Sequence, residues 1–99
     1  MRVRWLPTAL GNLDRQLDRI AAEDPRAAAR VARCVREAVE HLAKYSAAGR
    51  PGRVEGTREL VVPDTPFVIP YRVTARRVEI LRVFHSSQQW PDELPDDNP

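Results

Sequence analysis

The sequence predicts one small α+β domain with the element order β-α-α-β-β-β. A chain of 99 residues suits one domain and is too short for two. Apolar residues recur at helical spacing from residue 10 to residue 45, and the period changes to two from residue 54 to residue 85. We therefore expect an antiparallel sheet with a helical hairpin packed on one of its faces.

A short strand and two helices are predicted in the first half of the chain. Val3 and Trp5 alternate with arginines, which indicates a strand over residues 1–5. Asp24 and Pro25 separate the helices, because Asp is a good N-cap residue and Pro fits the first helical position. The spacing of the apolar residues predicts helices over about residues 8–21 and 25–46.

The second half of the chain predicts three strands joined by short turns. A Gly/Pro-rich loop over residues 47–52 comes first, and the turns fall at residues 63–66 and 75–76. Strands joined so closely are antiparallel neighbours. Pro70 lacks a backbone donor, which indicates an edge position or a bulge. The three predicted strands cover residues 54–62, 67–74 and 77–85.

Charge is unevenly distributed along the chain. The formal net charge is +2, but four of the 14 acidic residues lie after residue 91. Residues 1–91 therefore carry 16 basic and 10 acidic groups, a net charge of +6. A basic body favours anionic partners. We assign residues 1–90 to the domain and residues 91–99 to a flexible, acidic, Pro-rich tail.

Several classes of protein are disfavoured by the composition. No stretch approaches the roughly 18 apolar residues that a membrane helix needs. The N-terminus has no apolar h-region of a signal peptide. The single Cys34 excludes an internal disulfide and a multi-cysteine metal site, and it lies within the apolar pattern of the second helix. We expect a cytoplasmic protein that needs neither metal nor cofactor.

Several landmarks along the chain resemble one family. In order they are GRPGR at residues 49–53, GTREL at residues 56–60, PFVIPYRV at residues 66–73, VEILRVFH at residues 78–85 and Trp90-Pro91. On this order of elements they resemble the RelE/ParE superfamily, the toxins of type II toxin–antitoxin systems. The resemblance covers nearly the whole chain.

The resemblance implies a growth-arresting toxin and leaves its target open. RelE-like members cut messenger RNA within the ribosome, and ParE-like members inhibit DNA gyrase. An antitoxin whose acidic, amphipathic segment wraps the toxin neutralises both. The fold alone does not choose between these activities. We expect ribosome-dependent mRNA cleavage, with gyrase inhibition, or a degenerate toxin that only binds its antitoxin, as alternatives.

RNA cleavage without a metal requires groups that move protons and groups that offset phosphate charge. The resemblance points to Arg58 as a phosphate-binding residue. Arg72 would assist it, and His85 is the plausible proton carrier. Glu55 or Glu59 is a candidate base. Residues expected to bind the nucleic acid are Arg50, Arg53 and Arg82.

Simpler interpretations of these residues stay open. Arg58 suits a structural ion pair with a glutamate, Arg72 suits packing on Tyr71, and His85 suits a hydrogen-bonded strand end. The chain also departs from the nuclease pattern. Gln88 occupies a position where relatives often carry Arg, and Trp90 stands near the position of a frequent Tyr, although an indole is neither an acid nor a base.

The nuclease hypothesis makes one geometric demand. Arg50, Arg53, Arg58 and His85 should converge on the sheet face that the helices leave uncovered. Scattered side chains would remove the basis for a phosphate-directed site.

Overall fold

The computed structural model describes residues 1–94. Within that range, none of the helices is long and apolar enough to cross a bilayer. The predicted tail over residues 91–99 extends beyond the described residues. In chain order, the elements are β1 (Arg2–Trp5), α1 (Pro7–Glu23), α2 (Pro25–Lys44), β2 (Arg50–Pro51), β3 (Arg58–Val61), β4 (Phe67–Val73), β5 (Arg77–Ile80) and β6 (Phe84–His85).

The strands form one sheet in the order β1-β5-β4-β3-β2, and β6 continues the edge of β4 beyond β5. Helices α1 and α2 pack against each other, and α2 contacts β1 and β5. The predicted α+β fold with a helical hairpin is confirmed. One pair differs from the expected antiparallel arrangement, because β1 runs parallel to β5. Both helices and three strands separate these two strands along the chain, which provides the long crossover that parallel pairing requires.

The boundary between the helices follows the sequence signal. Pro25 occupies the first turn of α2, and the Asp24 side chain accepts a hydrogen bond from the Ala27 backbone N–H at 3.1 Å. The Asp24 backbone N–H donates to the Ile20 carbonyl at 2.8 Å and so ends α1. One residue therefore ends the first helix and caps the second, which makes the connection short and the hairpin tight.

The core lies between α2 and one face of the sheet. Residues that are directly opposite in the strand register share a face, so Leu60, Ile69 and Tyr71 can be assigned to the helix side. The same register adds Val78 and Ile80 of β5. The buried α2 residues that meet them are Val31, Val35, Val39 and Leu42. This side of the sheet is called the helix face below.

The opposite side of the sheet, called the open face below, carries charged residues over most of its width. Its members follow from strand alternation and register: Arg2, Arg4, Arg50, Glu59, Val61, Val68, Pro70, Arg72, Arg77, Glu79 and Phe84. Val68 and Phe84 are buried although no helix covers them. The open face therefore includes buried apolar residues as well as charged ones. The role of each charged residue depends on its ion-pair partners, which are described below.

Two predicted strands are shorter in the structure. Residues 54–57 form a turn with a positive φ of 80° at Gly56, so the strand predicted from residue 54 begins at Arg58. The strand predicted over residues 77–85 is interrupted after Ile80. Tyr71 pairs with Ile80 but Val68 pairs with Phe84, so the β5–β6 side holds one extra residue. This is a β-bulge.

Pro70 explains the bulge. The Leu81 N–H donates to the Pro70 carbonyl at 3.0 Å, but Pro70 has no N–H with which to return the bond. The Leu81 carbonyl instead accepts a hydrogen bond from Nη1 of Arg82. The Val83 N–H beyond it donates to Oδ1 of Asn12 in α1 at 3.1 Å. The prediction that Pro70 lies at an edge or a bulge is confirmed.

Candidate functional site

A buried carboxylate organises one end of the open face. The Glu59 side chain is only 3% exposed. It accepts hydrogen bonds from Nε and Nη2 of Arg50 at 3.3 and 3.1 Å. It also accepts from the backbone N–H and Nε of Arg53 at 2.8 and 3.0 Å, and from Nη2 of Arg53 at 3.3 Å. Two of the three arginines predicted to bind nucleic acid therefore hold a glutamate.

The Glu59 carboxyl is held in its ionised form. Burial raises its pKa, and hydrogen bonds from Arg53 and Arg50 lower it by more, so the pKa lies below its ordinary value of 4.5. A carboxylate with a lowered pKa is a weak proton acceptor at neutral pH. This environment disfavours Glu59 as the general base that the sequence suggested.

A second buried carboxylate organises the other end of the open face. Glu79 has a side chain 7% exposed and lies between Arg4 and Arg72 in the strand register. Its Oε1 accepts from Nη2 of Arg72 at 2.9 Å, and its Oε2 lies 3.1 Å from Nη2 of Arg77 and 3.7 Å from Nη1 of Arg4. Arg72, predicted to be catalytic, thus forms part of an ion-pair network.

Arg58 lies on the other side of the sheet. Its register partner is Tyr71, so it shares the helix face. Nη1 of Arg58 donates to the carbonyls of Gly49 and Ala47 at 2.8 and 3.4 Å. The Tyr71 hydroxyl donates to the Ser46 carbonyl and accepts from the Gly49 N–H, both at 2.8 Å. Together, Arg58 and Tyr71 fix the loop that follows α2.

Gly49 is required by this arrangement. A Cβ at residue 49 would lie 2.6 Å from both Cε1 and the hydroxyl of Tyr71, and 2.8 Å from the Glu59 carbonyl. The Tyr71 side chain is fully buried within the core. The loop therefore approaches β3 and β4 closely only because residue 49 has no side chain.

His85 is held at the far end of β4. It pairs with Phe67, and the two rings meet edge to face at 5.9 Å. Nδ1 of His85 accepts from the Ser87 N–H at 3.1 Å and lies 2.7 Å from the Ser87 hydroxyl. The His85 N–H donates to Oε1 of Gln88 at 2.8 Å. Gln88 thus closes a turn around the histidine.

Trp90 packs against the open face. Its ring lies 4.7 Å from that of Phe84, and the guanidinium carbon of Arg53 lies 3.6 Å from its centroid. The indole Nε1 is buried without a hydrogen-bond partner among the described residues. Trp90 therefore extends the apolar cover of Phe84 and stacks under Arg53.

The predicted site residues lie at several separate places on the sheet rather than at one. Arg50 and Arg53 surround Glu59, and Arg72 contacts Glu79. Arg58 and His85 register on the helix face, and Arg82 lies in the bulge between the strands. The expected gathering of Arg50, Arg53, Arg58 and His85 on the open face is therefore wrong, because Arg58 alternates with Glu59 and shares its side with Leu60. The roles proposed for these residues stay predictions.

The sequence contains two signals that were missed. The first is strand parity, since the apolar Leu60 and Val83 place Arg58 and His85 on the core side. The second is Glu79, a charge in the middle of an apolar strand. A glutamate at such a position needs compensating cations, and Arg4, Arg72 and Arg77 supply them. No group of His, Cys, Asp or Glu within residues 1–94 could hold a metal ion.

Comparison with known proteins identifies the class to which this fold belongs. The family model described as "ParE toxin of type II toxin-antitoxin system, parDE" matches residues 3–90. The chain therefore belongs to the ParE toxin family, within the RelE/ParE superfamily. Membership implies an antitoxin partner.

Individual relatives agree with this assignment. The chain is 53% identical over 93 residues to "Putative toxin Y4kP" of Sinorhizobium fredii, covering 94% of this chain and 96% of that protein. It is 37% identical over 87 residues to "Toxin RelE2" of Caulobacter vibrioides, covering 88% and 97%. A chain of the "Chromosomal ParDE TA system from P. aeruginosa" superposes with a TM-score of 0.78 at 31% identity, covering 86% of this chain and 95% of the other.

Proposed function

We propose that this toxin arrests growth by binding DNA gyrase, as ParE-like toxins do, rather than by catalysing RNA cleavage. One observation carries the proposal: the groups that RNA cleavage would use do not share a site. Arg58 pairs with Tyr71 and His85 with Phe67, at opposite ends of β4 and on its two opposite edges. Four residues along a strand span about 13 Å, and two strand spacings add about 10 Å across it.

Cleavage requires tighter geometry than this. A proton carrier must lie within hydrogen-bond reach of the atom that it serves, and the phosphate-binding groups must surround the same phosphodiester. Arg58 already donates to two loop carbonyls, and Nδ1 of His85 already contacts Ser87. Arg50 and Arg53 are neutralised in part by Glu59. These contacts favour a structural role for each group.

A binding toxin needs a surface and no catalytic residues. The similarity to the P. aeruginosa ParDE chain supports this type of action. A toxin that binds DNA gyrase would act in the cytoplasm, where we propose that this protein is located. The basic body of the toxin also suits an antitoxin that presents an acidic, amphipathic segment, which would order as it wraps the toxin.

The similarity to Toxin RelE2 favours mRNA cleavage as a second candidate. The two candidates differ in their need for an imidazole, because histidine is the side chain that exchanges protons near neutral pH. The chain has two histidines, His41 and His85. Replacing both with Gln leaves binding surfaces largely intact but removes both imidazoles.

The double variant His41→Gln/His85→Gln therefore separates the candidates in a growth assay. Gyrase inhibition predicts that its induced expression arrests growth as the unmodified toxin does. Capture of the antitoxin by the variant controls for correct folding. Loss of growth arrest with antitoxin capture intact would support the nuclease. An unmodified toxin that leaves growth unaffected would contradict both activities and indicate a degenerate toxin.

A further inference from the structure

Five arginines cluster at the end of the sheet where β1, β5 and the turn between β4 and β5 meet. In this arginine cluster, Arg2 lies directly opposite Arg77 in the parallel register of β1 and β5. Arg4 and Arg72 lie on either side of Glu79. Arg76 belongs to the adjoining turn and is exposed. Like charges placed directly opposite each other destabilise a sheet, so this arrangement carries a cost.

Within the part of the chain that the structure describes, guanidinium groups outnumber carboxylates at this cluster. Glu79 contacts Arg4, Arg72 and Arg77. Neither Arg2 nor Arg76 forms an ion pair with any acidic residue that the structure describes. Within residues 1–94, the five guanidinium groups of the cluster meet one carboxylate, that of Glu79. The side chains of Arg4 and Arg77 are 47% and 46% exposed, so the charge faces solvent.

The arginine cluster borders a surface depression. Met1, Arg2, Arg76 and Arg77 line a shallow depression of about 660 Å³ at the sheet end. Glu79 pairs with the guanidinium groups of Arg4, Arg72 and Arg77, which restricts their positions before a ligand binds. An anion bound here would offset the repulsion between Arg2 and Arg77.

We propose that the arginine cluster binds the phosphate backbone of duplex DNA. Arginine forks match phosphate oxygens, and the row from Arg4 to Arg72 spans three strands, about 10 Å. Single-stranded nucleic acid would need aromatic platforms for its bases. The cluster has none, because Trp5 lies on the helix face, Tyr71 is buried and Trp90 packs on Phe84 at the other end of the open face.

An acidic protein segment fits the cluster less well than a duplex does. Such segments anchor through apolar side chains in addition to charge. Within the described residues, Met1 is the one large apolar side chain that lines the depression and is exposed. The inference deepens the proposed function and rests on it, because a gyrase-directed toxin acts where a duplex is held. The toxin would contact the gyrase-bound DNA as well as the enzyme.

Salt dependence tests this inference on the purified toxin alone. Each phosphate contact contributes about −0.9 to the slope of log Kobs against log salt concentration. The variant Arg2→Gln/Arg76→Gln removes two contacts and breaks no ion pair among the described residues. Binding to a short fluorescent duplex of mixed sequence, followed by anisotropy, should weaken, and its salt slope should become shallower by about 2.

The matched control is Arg26→Gln/Arg30→Gln, which removes the same charge from exposed positions of α2. It should keep the slope of the unmodified toxin. Equal slopes for all three proteins would overturn the inference. So would tighter binding of single-stranded RNA than of duplex, or loss of antitoxin capture by Arg2→Gln/Arg76→Gln with duplex binding unchanged.

A supercoiling assay on the same proteins separates this inference from the proposed function. Duplex binding by a toxin that leaves gyrase active would sustain the inference and contradict the proposed function. Gyrase inhibition by a toxin with no salt-dependent duplex binding would support the proposed function and contradict the inference.

Discussion

Replacing Glu59 with Gln removes the charge that holds Arg50 and Arg53. The carboxylate accepts five hydrogen bonds from these two residues at 2.8 to 3.3 Å, while its own side chain is 3% exposed. A glutamine keeps the volume but supplies one acceptor oxygen, and its amide N–H groups face the guanidiniums. Two or three of the five hydrogen bonds are then lost or become repulsive, depending on which position the amide oxygen takes.

The loss of stability expected for Glu59→Gln lies between two limits. Exposed ion pairs contribute about 0–1 kcal/mol, and breaking a fully buried pair costs about 3–5 kcal/mol. The Arg50 and Arg53 side chains are 54% and 50% exposed, so water compensates them after the change. We expect a loss of about 2 kcal/mol in the free energy of unfolding. For a domain of this size, that lowers Tm by roughly 8–16 °C.

The effect should depend on pH with a definite sign. Because the folded pKa of Glu59 is below 4.5, its ionisation stabilises the fold above that pH. This contribution disappears as the pH falls through the lower folded pKa. The Tm difference between the unmodified toxin and Glu59→Gln should therefore be largest at neutral pH and should shrink in acid.

Thermal unfolding followed by circular dichroism, at neutral pH and at several values below 4.5, measures this difference. The control is Glu55→Gln, in the exposed turn that precedes β3, which should leave Tm unchanged. An equal Tm for Glu59→Gln and the unmodified toxin at neutral pH would refute the reasoning. A Tm difference that stays constant into acid would refute the role of the charge.

Three further substitutions test the loop after α2. Tyr71→Phe removes one buried and one partly buried hydrogen bond and should cost about 2–3 kcal/mol in urea unfolding, whereas a cost below about 0.5 kcal/mol would contradict the contacts seen. Gly49→Ala forces a Cβ against the Tyr71 ring and should destabilise by about 1–3 kcal/mol; an unchanged midpoint would show that the loop relaxes freely. Arg58→Ala should speed proteolysis within residues 45–50 but leave growth arrest intact, and loss of arrest without faster proteolysis would support the nuclease.

Local signals made much of the fold predictable. Asp24 and Pro25 mark the helix boundary because capping depends only on neighbouring residues. The turns at residues 63–66 and 75–76 put β3, β4 and β5 beside one another for the same reason. Pro70 predicted its bulge because a missing N–H must be accommodated wherever it falls in a sheet.

The candidate site was less predictable because it depends on long-range register. The sequence around Glu59 does not predict that Arg50 and Arg53 both contact its carboxylate. Those contacts depend on the conformation of the turn that contains Gly56. The parallel pairing of β1 with β5 brings Arg4 to Glu79 across 75 residues. Chain length between partners does not specify register, so such contacts emerge only once the sheet is assembled.

The central claim is that this toxin acts by binding and not by cutting RNA. Supercoiling of relaxed plasmid by DNA gyrase, titrated with purified toxin, tests it most directly. Inhibition that saturates when toxin and gyrase are near equal concentration is the predicted result. Gyrase that stays fully active at excess toxin, under conditions where the same toxin cuts ribosome-bound mRNA, would contradict it.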